Sequence, residues 1–297
     1  MTNWPWHAGE LEAQARAGGG PPGAGIGNAM PAQQRTFFAA LPFVAVATLD
    51  GGGPVATVLA GRPGFVSAPD EQTLIVDAVL DPADPVAAAL RPGAPAGVLG
   101  IDLATRRRNR ANGVVAAAGP DGFVLDVRQS FGNCPQYIHV RDLARSSIAP
   151  GAPGPVERLA RLDEGARGAI VAADTFFVAS AAHSGEPTGG VDISHRGGPA
   201  GFVRVDGDVL TIPDYRGNRY FNTLGNLLVE PRVGLLFVDF ERGDLLHLGG
   251  TVEIVWDGPE VRTFPAAQRL WRVQVEAALR RPGAIPLRWQ RRAPGPG

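Results

Sequence analysis

The segment 210–237, LTIPDYRGNRYFNTLGNLLVEPRVGLLF, has the densest concentration of groups able to do chemistry. A strand-like run ends at Ile212-Pro213-Asp214, a polar loop carrying Arg216 and Arg219 follows, and a short helical pattern begins near Asn222. Asn218 or Asn222 is expected to cap that helix, whose first backbone N–H groups lack intrahelical partners and carry partial positive charge. Two arginines beside such a terminus suit a phosphate, because guanidinium groups add bidentate, charge-assisted hydrogen bonds to its oxygens. The competing reading of an RGNR string is a solvated turn. The aligned stretch earlier in the chain, VDAVLDPADPVAAALRPGAP, supplies only aspartates and alanines at that place, so one phosphate site per chain is expected.

A second polar cluster follows the strand-like FVLDVRQ: SFGNCPQY, in which Gly132 and Pro135 fix a tight turn. Asn133, Gln136 and Tyr137 could hydrogen-bond a ligand, and Ser130 could meet a phosphate; a purely structural turn is the alternative. Cys134 is the sole cysteine, so no intramolecular disulfide or four-cysteine metal site exists, and a passive thiol is expected. The run RRRNR at 106–110 reads as a solvated hairpin, with a docking patch for an acidic electron-transfer protein as the alternative. His7, His139, His183 and His247 lack metal-ligand spacing. A nucleophile elbow, a Walker loop and a dinucleotide fingerprint are all missing.

These groups have to be held by something, and composition narrows what. With 297 residues, 44% hydrophobic and 19% charged, the chain is that of a globular protein, and its net charge of -1 gives no broad attraction for nucleic acid or anionic membrane. All 28 basic residues are arginine, so a lysine Schiff base is excluded. No apolar run reaches membrane-spanning length and no secretory signal is legible at the N-terminus, so a cytoplasmic location is expected.

An internal repeat organises the rest. Phe43, Gly52 and Pro54 recur as Phe176, Gly185 and Pro187; Gly64, Phe65 and Val66 recur as Gly201, Phe202 and Val203; Gly97, Leu99 and Asp102 as Gly234, Leu236 and Asp239; Gly113 and Val115 as Gly250 and Val252. Within each copy, short β-branched and aromatic runs punctuated by glycine, proline and aspartate read as strands and tight turns of a mainly β, barrel-class fold. Helical patterns are few: ELEAQARA, DPVAAALRPG, VERLARLDEGARGAI, NTLGNLLVEP and FPAAQRLWRVQVEAALRRPG. The expected organisation is an N-terminal helix and linker over 1–34, a first barrel copy over 35–150, a second over 151–260, and a C-terminal helix and tail over 261–297. Two copies in one chain can build, across a pseudo-twofold axis, a site that would otherwise need two subunits, and either copy's site may then be lost by divergence. Trp271 and Trp289 are expected to pack on the barrels.

The run PTGGVDISHRGGPAGFVRVDGDVLTIPDYRGNRYFNTLGNLLVEPRVGLLF resembles the core of the pyridoxamine 5'-phosphate oxidase-related split-barrel family, and QSFGNCPQYI is similar to a signature of its fused tandem subgroup. The resemblance covers 166–256 well and 35–120 more weakly. It implies tandem split β-barrels forming an intrachain pseudo-dimer around FMN, with flavin-ring contacts from Val191, Asp192, Ile193 and Ser194. His195 falls where the family often has lysine; the competing reading is a solvent-facing turn. Ribityl-phosphate contacts are implied for Asp214, Arg216, Arg219, Asn222 and Thr223, with Ser130, Asn133, Gln136 and Tyr137 on the opposite wall. The activity implied is FMN-dependent oxidoreduction of a small-molecule substrate or with a nicotinamide reductant, in a monomer or homodimer. A non-catalytic flavin- or haem-binding electron carrier is the alternative.

Overall fold

The computed structural model describes residues 5–21, 23, 25–144, 154–182 and 188–292. In chain order these form α1 (Ala8–Arg16), α2 (Ala32–Ala39), β1 (Phe43–Asp50), β2 (Gly53–Ala60), β3 (Val66–Ser67), β4 (Thr73–Asp77), α3 (Pro85–Ala89), β5 (Pro95–Asp102), β6 (Arg107–Gly119) and β7 (Gly122–Gly132). There follow β8 (Arg141–Leu143), β9 (Glu157–Leu159), α4 (Glu164–Ala172), β10 (Thr175–Ala182), β11 (Gly190–Gly197), β12 (Arg204–Asp206), β13 (Val209–Tyr215), α5 (Asn222–Val229), β14 (Arg232–Asp239), β15 (Asp244–Val255), β16 (Ala267–Arg281) and β17 (Trp289–Arg291).

The two large antiparallel sheets repeat one topology. The first runs β2-β1-β5-β6-β7-β4-β3 and the second β11-β10-β14-β15-β16-β13-β12, with β9 added beside β16. Each curls around its own core: Val44, Val46, Leu74, Val98 and Leu125 in the first barrel, Phe176, Val178, Ile212, Leu235 and Trp271 in the second. A third apolar cluster joins them, with Phe43, Ala45, Leu99 and Ile101 meeting Phe177, Ala179, Ile193, Leu236 and Trp289. Strands β1 and β10 are therefore apolar on both faces and do not alternate, because one face lines a barrel and the other the seam between barrels. Both tryptophans pack on the barrels as expected.

The repeat holds down to its glycines. Gly113 and Gly250 both sit at bulges, where an added Cβ would run into the carbonyl of Asp126 or Gln274. Gly97 and Gly234 mark the pseudo-twofold seam. A Cβ on Gly97 would stand 2.8 Å from the Val191 carbonyl oxygen, and one on Gly234 would meet the Pro54 carbonyl, its counterpart in the other barrel. In the first strand the register corrects the sequence alignment. Val44 pairs with Gly100 as Phe176 pairs with Phe237, so Phe176 answers to Val44 and not to Phe43, which lies on the opposite face. Gly185, Pro187 and His183 lie outside the described residues.

The expected C-terminal helix is strand β16, which pairs with both β15 and β13. Its Trp271, Val273 and Val275 alternate with Arg272, Gln274 and Glu276, a two-residue period that outweighs the helix-favouring alanines, leucines and arginines around it. The second barrel therefore extends through Arg281, well beyond the expected boundary at 260. The VERLARLDEGARGAI pattern is divided between β9 and α4, whose N-cap Asp163 accepts from Ala166 N. Among the described residues no helix is long and apolar enough to cross a membrane.

Candidate functional site between the barrels

Strand β11 is an edge strand of the second sheet, and its free side lies against β5 and β6 of the first barrel. The cleft beside it is closed below by α5 and the 216–221 loop, and opposite by the segment that follows β7. Of the residues expected from sequence, Asn133, Gln136, Tyr137, Ser194, His195, Asp214, Arg219, Asn222 and Thr223 line it.

The others lie elsewhere. Val191 and Ile193 turn their side chains into the seam between the barrels, leaving only main chain for a ligand. Asp192 is buried behind the wall, where it accepts from Arg110 (2.7 Å), Asn112 (2.8 Å) and Asn226 (2.7 Å). Arg216 contributes its carbonyl, which accepts from the Tyr137 hydroxyl at 2.9 Å. Ser130 is absent from the cleft: its hydroxyl donates to Gln34 and its backbone bridges Gly27.

Helix α5 starts without a side-chain cap. Its N-cap residue is Phe221, held at φ 60, and no side chain accepts from the first turn. Asn218 instead accepts from Tyr220 N, and Asn222 donates to Glu10. The uncapped amides keep their partial positive charge on the cleft side, where Asn222, Thr223 and Leu224 are exposed to it. In the first barrel, the corresponding helix α3 is capped by Asp84, which accepts from Val86 N (2.8 Å), Thr57 and Arg281. The chain's own carboxylate fills that corner, leaving the α5 corner as the one of the pair open to an external anion.

Sequence reasoning missed the arginines that give the cleft its charge. Arg106 and Arg107 are exposed, Arg107 lying over the Phe37 ring, whereas Arg108 and Arg110 turn inward because successive residues of β6 face opposite sides. The solvated-hairpin reading of 106–110 is corrected for those two, and so is any docking patch that uses all four arginines. Arg110, 3% exposed, also donates to Ser194 at 2.5 Å. Arg196 lies over Trp271 and 3.9 Å from Asp214, whose closer partner is Arg269 at 2.8 Å. The alternation of RRRNR with the preceding strand was the signal that could have placed Arg108 and Arg110.

His195, 4% exposed, is no solvent-facing turn residue. Its Nδ1 lies 3.0 Å from Arg108 Nη1, which can only donate, so the imidazole accepts there and carries its proton on Nε2. Burial and then the Arg108 charge hold its pKa well below 6.5, and the ring is neutral. Burial, with Arg110 and Arg196 nearby, also lowers Arg108 to about 10. His195 Nε2, Asn133 Nδ2 and the Nε atoms of Arg108, Arg110 and Arg196 are buried without hydrogen-bond partners in the protein. Tyr137 stacks on Tyr215, ring centroids 5.3 Å apart, and both rings line the cavity, whose volume is about 110 Å³.

A pair of fused split barrels with a cationic cleft on their shared seam defines the class of protein. Residues 162–289, which take in most of the second barrel, match the pyridoxamine 5'-phosphate oxidase family model. Similar solved structures include an H111A variant of HupZ from Group A Streptococcus, at 16% identity over 40% of this chain and 98% of that one, TM-score 0.32. A putative pyridoxamine 5'-phosphate oxidase from Corynebacterium glutamicum aligns at 18% identity over 43% and 98%, TM-score 0.30. The FAD and heme binding protein from Mycobacterium smegmatis aligns at 15% over 37% and 73%, TM-score 0.25. At that similarity none of them bears on what this chain binds. No curated protein matches the sequence.

Proposed function

We propose that the cleft binds FMN and that the chain is an FMN-dependent oxidoreductase acting on a small molecule or with a nicotinamide reductant. The observation that carries this reading is the uncapped α5 terminus beside guanidinium groups that outnumber nearby carboxylates. Arg108, Arg110, Arg196, Arg219 and Arg269 line the cleft, against Asp214 in its wall and Asp192 behind it; the Glu10 carboxyl, which accepts from Asn222, is kept protonated by burial. Five cations against two anions leave a surplus of three, and a phosphate monoester of charge roughly −2 would take up most of it.

In this reading Arg219, Asn222, Thr223 and the first α5 amides hold the phosphate. Ser194 and His195, with the edge main chain of 191–194, lie along the ring, and Asn133, Gln136 and Tyr137 form the facing wall. FMN would supply hydride or electron transfer, while the chain positions it and excludes water. The donor chemistry fits. The cavity is smaller than the roughly 300 Å³ at which pockets for drug-sized ligands begin, so the Tyr137–Tyr215 pair has to part for a ring to enter.

The test is a titration of the purified full chain with FMN and with riboflavin, followed by flavin fluorescence quenching. FMN should bind at least tenfold more tightly than riboflavin, and Arg219→Ala should erase most of that difference, about 1.5–3 kcal/mol for one charge-assisted contact. A chain that takes up neither flavin refutes the reading. Turnover separates an enzyme from a carrier. Bound flavin reduced anaerobically should pass electrons to a small acceptor faster than free FMN does.

A further inference from the structure

Three of the five unpaired donors in the cleft belong to residues linked to one another. Asn133 N donates to the Arg108 carbonyl at 3.0 Å, and the Arg108 guanidinium lies 3.0 Å from His195, so the three residues, all lining the cleft, are linked across both barrels. Arg108 Nε, His195 Nε2 and Asn133 Nδ2 are each buried with nothing in the protein to donate to. A buried donor left unpaired loses its hydration with nothing in return, so the arrangement favours a ligand that brings acceptors. Arg108 and Arg219 are the two cleft arginines with no carboxylate partner among the described residues. Arg110 has Asp192, Arg196 and Arg269 share Asp214, and Arg219 donates to the Gly19 and Ala17 carbonyls, whereas the hydrogen-bond partner of the Arg108 guanidinium is a neutral imidazole.

We propose that Arg108, His195 and Asn133 form a subsite for the carboxylate of a monoanionic substrate, next to the flavin. Three N–H groups match the two oxygens of a carboxylate, and one positive charge of the surplus of three remains after a phosphate of roughly −2 is seated. The charge count rests on the FMN reading; the unpaired donors do not. A dianion would exceed the charge left, and an uncharged amide would set its own N–H groups against these donors. Cys134 borders the subsite, and its thiol adds no acceptor comparable to a carboxylate oxygen.

The experiment is isothermal titration of the full chain, loaded with FMN, using benzoate and its uncharged isostere benzamide as probes. Benzoate should bind and benzamide should bind at least tenfold more weakly. Arg108→Gln should lower benzoate affinity at least tenfold and Asn133→Ala several-fold, while Arg107→Gln, on the exposed side of the same strand, should change nothing. Inorganic phosphate should not displace benzoate from the loaded protein. Equal binding of benzamide, displacement by phosphate, or an Arg108→Gln variant with wild-type benzoate affinity overturns the proposal. If Arg108→Gln does not fold, Arg108→Lys and Asn133→Ala carry the same test, since each keeps the chain's charge and removes one donor of the group, and wild-type benzoate affinity in both overturns the proposal. The two readings fail separately. Arg108-dependent benzoate binding in a chain that takes up no flavin leaves the subsite standing and removes FMN, and a flavin-loaded chain indifferent to benzoate does the reverse.

Discussion

Glu10 is a carboxyl group in a place that disfavours its charge, and replacing it with glutamine tests how α1 is held. The residue is 3% exposed, on a helix packed so closely against α5 that a Cβ on Gly225 would stand 2.6 Å from the Glu10 Cα. Burial, with the Asp192 charge second, raises its pKa from 4.5 to about 8, against the opposing hydrogen bonds from His7 N and Asn222. The folded chain thus holds a proton that the unfolded chain releases, so the stabilisation is complete below about pH 4.5 and is lost as pH rises through about 8. Carrying 4.5 to about 8 at 1.36 kcal/mol per pH unit gives an upper limit of about 5 kcal/mol. The element that yields is α1, because it can leave α5 without opening either barrel. Amide hydrogen exchange over residues 8–16, compared at pH 6 and pH 9 after correction for intrinsic rates, should show protection falling at the higher pH in the wild type and staying level in Glu10→Gln. Equal pH dependence in both chains would refute the reasoning. The consequence reaches the cleft, since Asn222 donates to Glu10 and Arg219 to Gly19, and both are freed when α1 lifts.

Tyr137→Ala should speed FMN association several-fold in stopped-flow fluorescence, because the stacked pair with Tyr215 lines the cavity; an unchanged rate would mean the gate lies elsewhere. Asp84→Asn breaks the buried contact with Arg281 and should cost about 3–5 kcal/mol in denaturant unfolding, yet leave FMN affinity within twofold. A matching loss of FMN binding would mean that the first barrel's corner is also in use. Gly234→Ala drives a methyl into the Pro54 carbonyl at the seam and should cost about 1–3 kcal/mol. Gly168→Ala, in α4 with open space around it, should instead raise the melting temperature.

The barrels were legible because strand signals are local and the repeat doubled them. The glycines at 64/201 and 113/250 stand at a turn and at bulges, positions set by backbone sterics, and the sequence shows them directly. The start of α5 was legible for a similar reason, as the loop with Arg219 and the first residues of the helix lie within one short segment. What escaped reading is non-local. Arg110 and Asn112 lie on β6 and meet Asp192 across the seam, a contact that depends on how two barrels dock and not on any neighbouring residue. The identity of β16 was misread because alanine, leucine and arginine favour helix locally, while its two partner strands supply the deciding hydrogen bonds.

The seam also explains why the α5 corner and the α3 corner differ among the described residues. Sheet register equates Arg110 with His247, since each pairs with the leucine that follows the seam glycine by two, Leu99 or Leu236. By the same pairing Asn112 answers to Gly249, Asp192 to Val55, Ser194 to Thr57 and His195 to Val58. One side of the pseudo-twofold axis thus carries Arg110, Asn112, Asp192, Ser194 and His195, and the other has valine in place of Asp192 and His195 and glycine in place of Asn112. A half-polar site would be costly, because each buried donor without an acceptor loses its hydration. His247 shows the residue of that cost: burial pushes its pKa down to about 4, its Nδ1 lies 2.9 Å from the Ala56 carbonyl, and its Nε2 has no partner. Arg281, coming from β16, then closes the corner by pairing with Asp84 and Asp81. The two sides of the axis therefore differ on both barrels at once: Arg110 and Asn112 of the first meet Asp192 of the second on one side, and the Thr57–Asp84 pair of the first meets Arg281 of the second on the other.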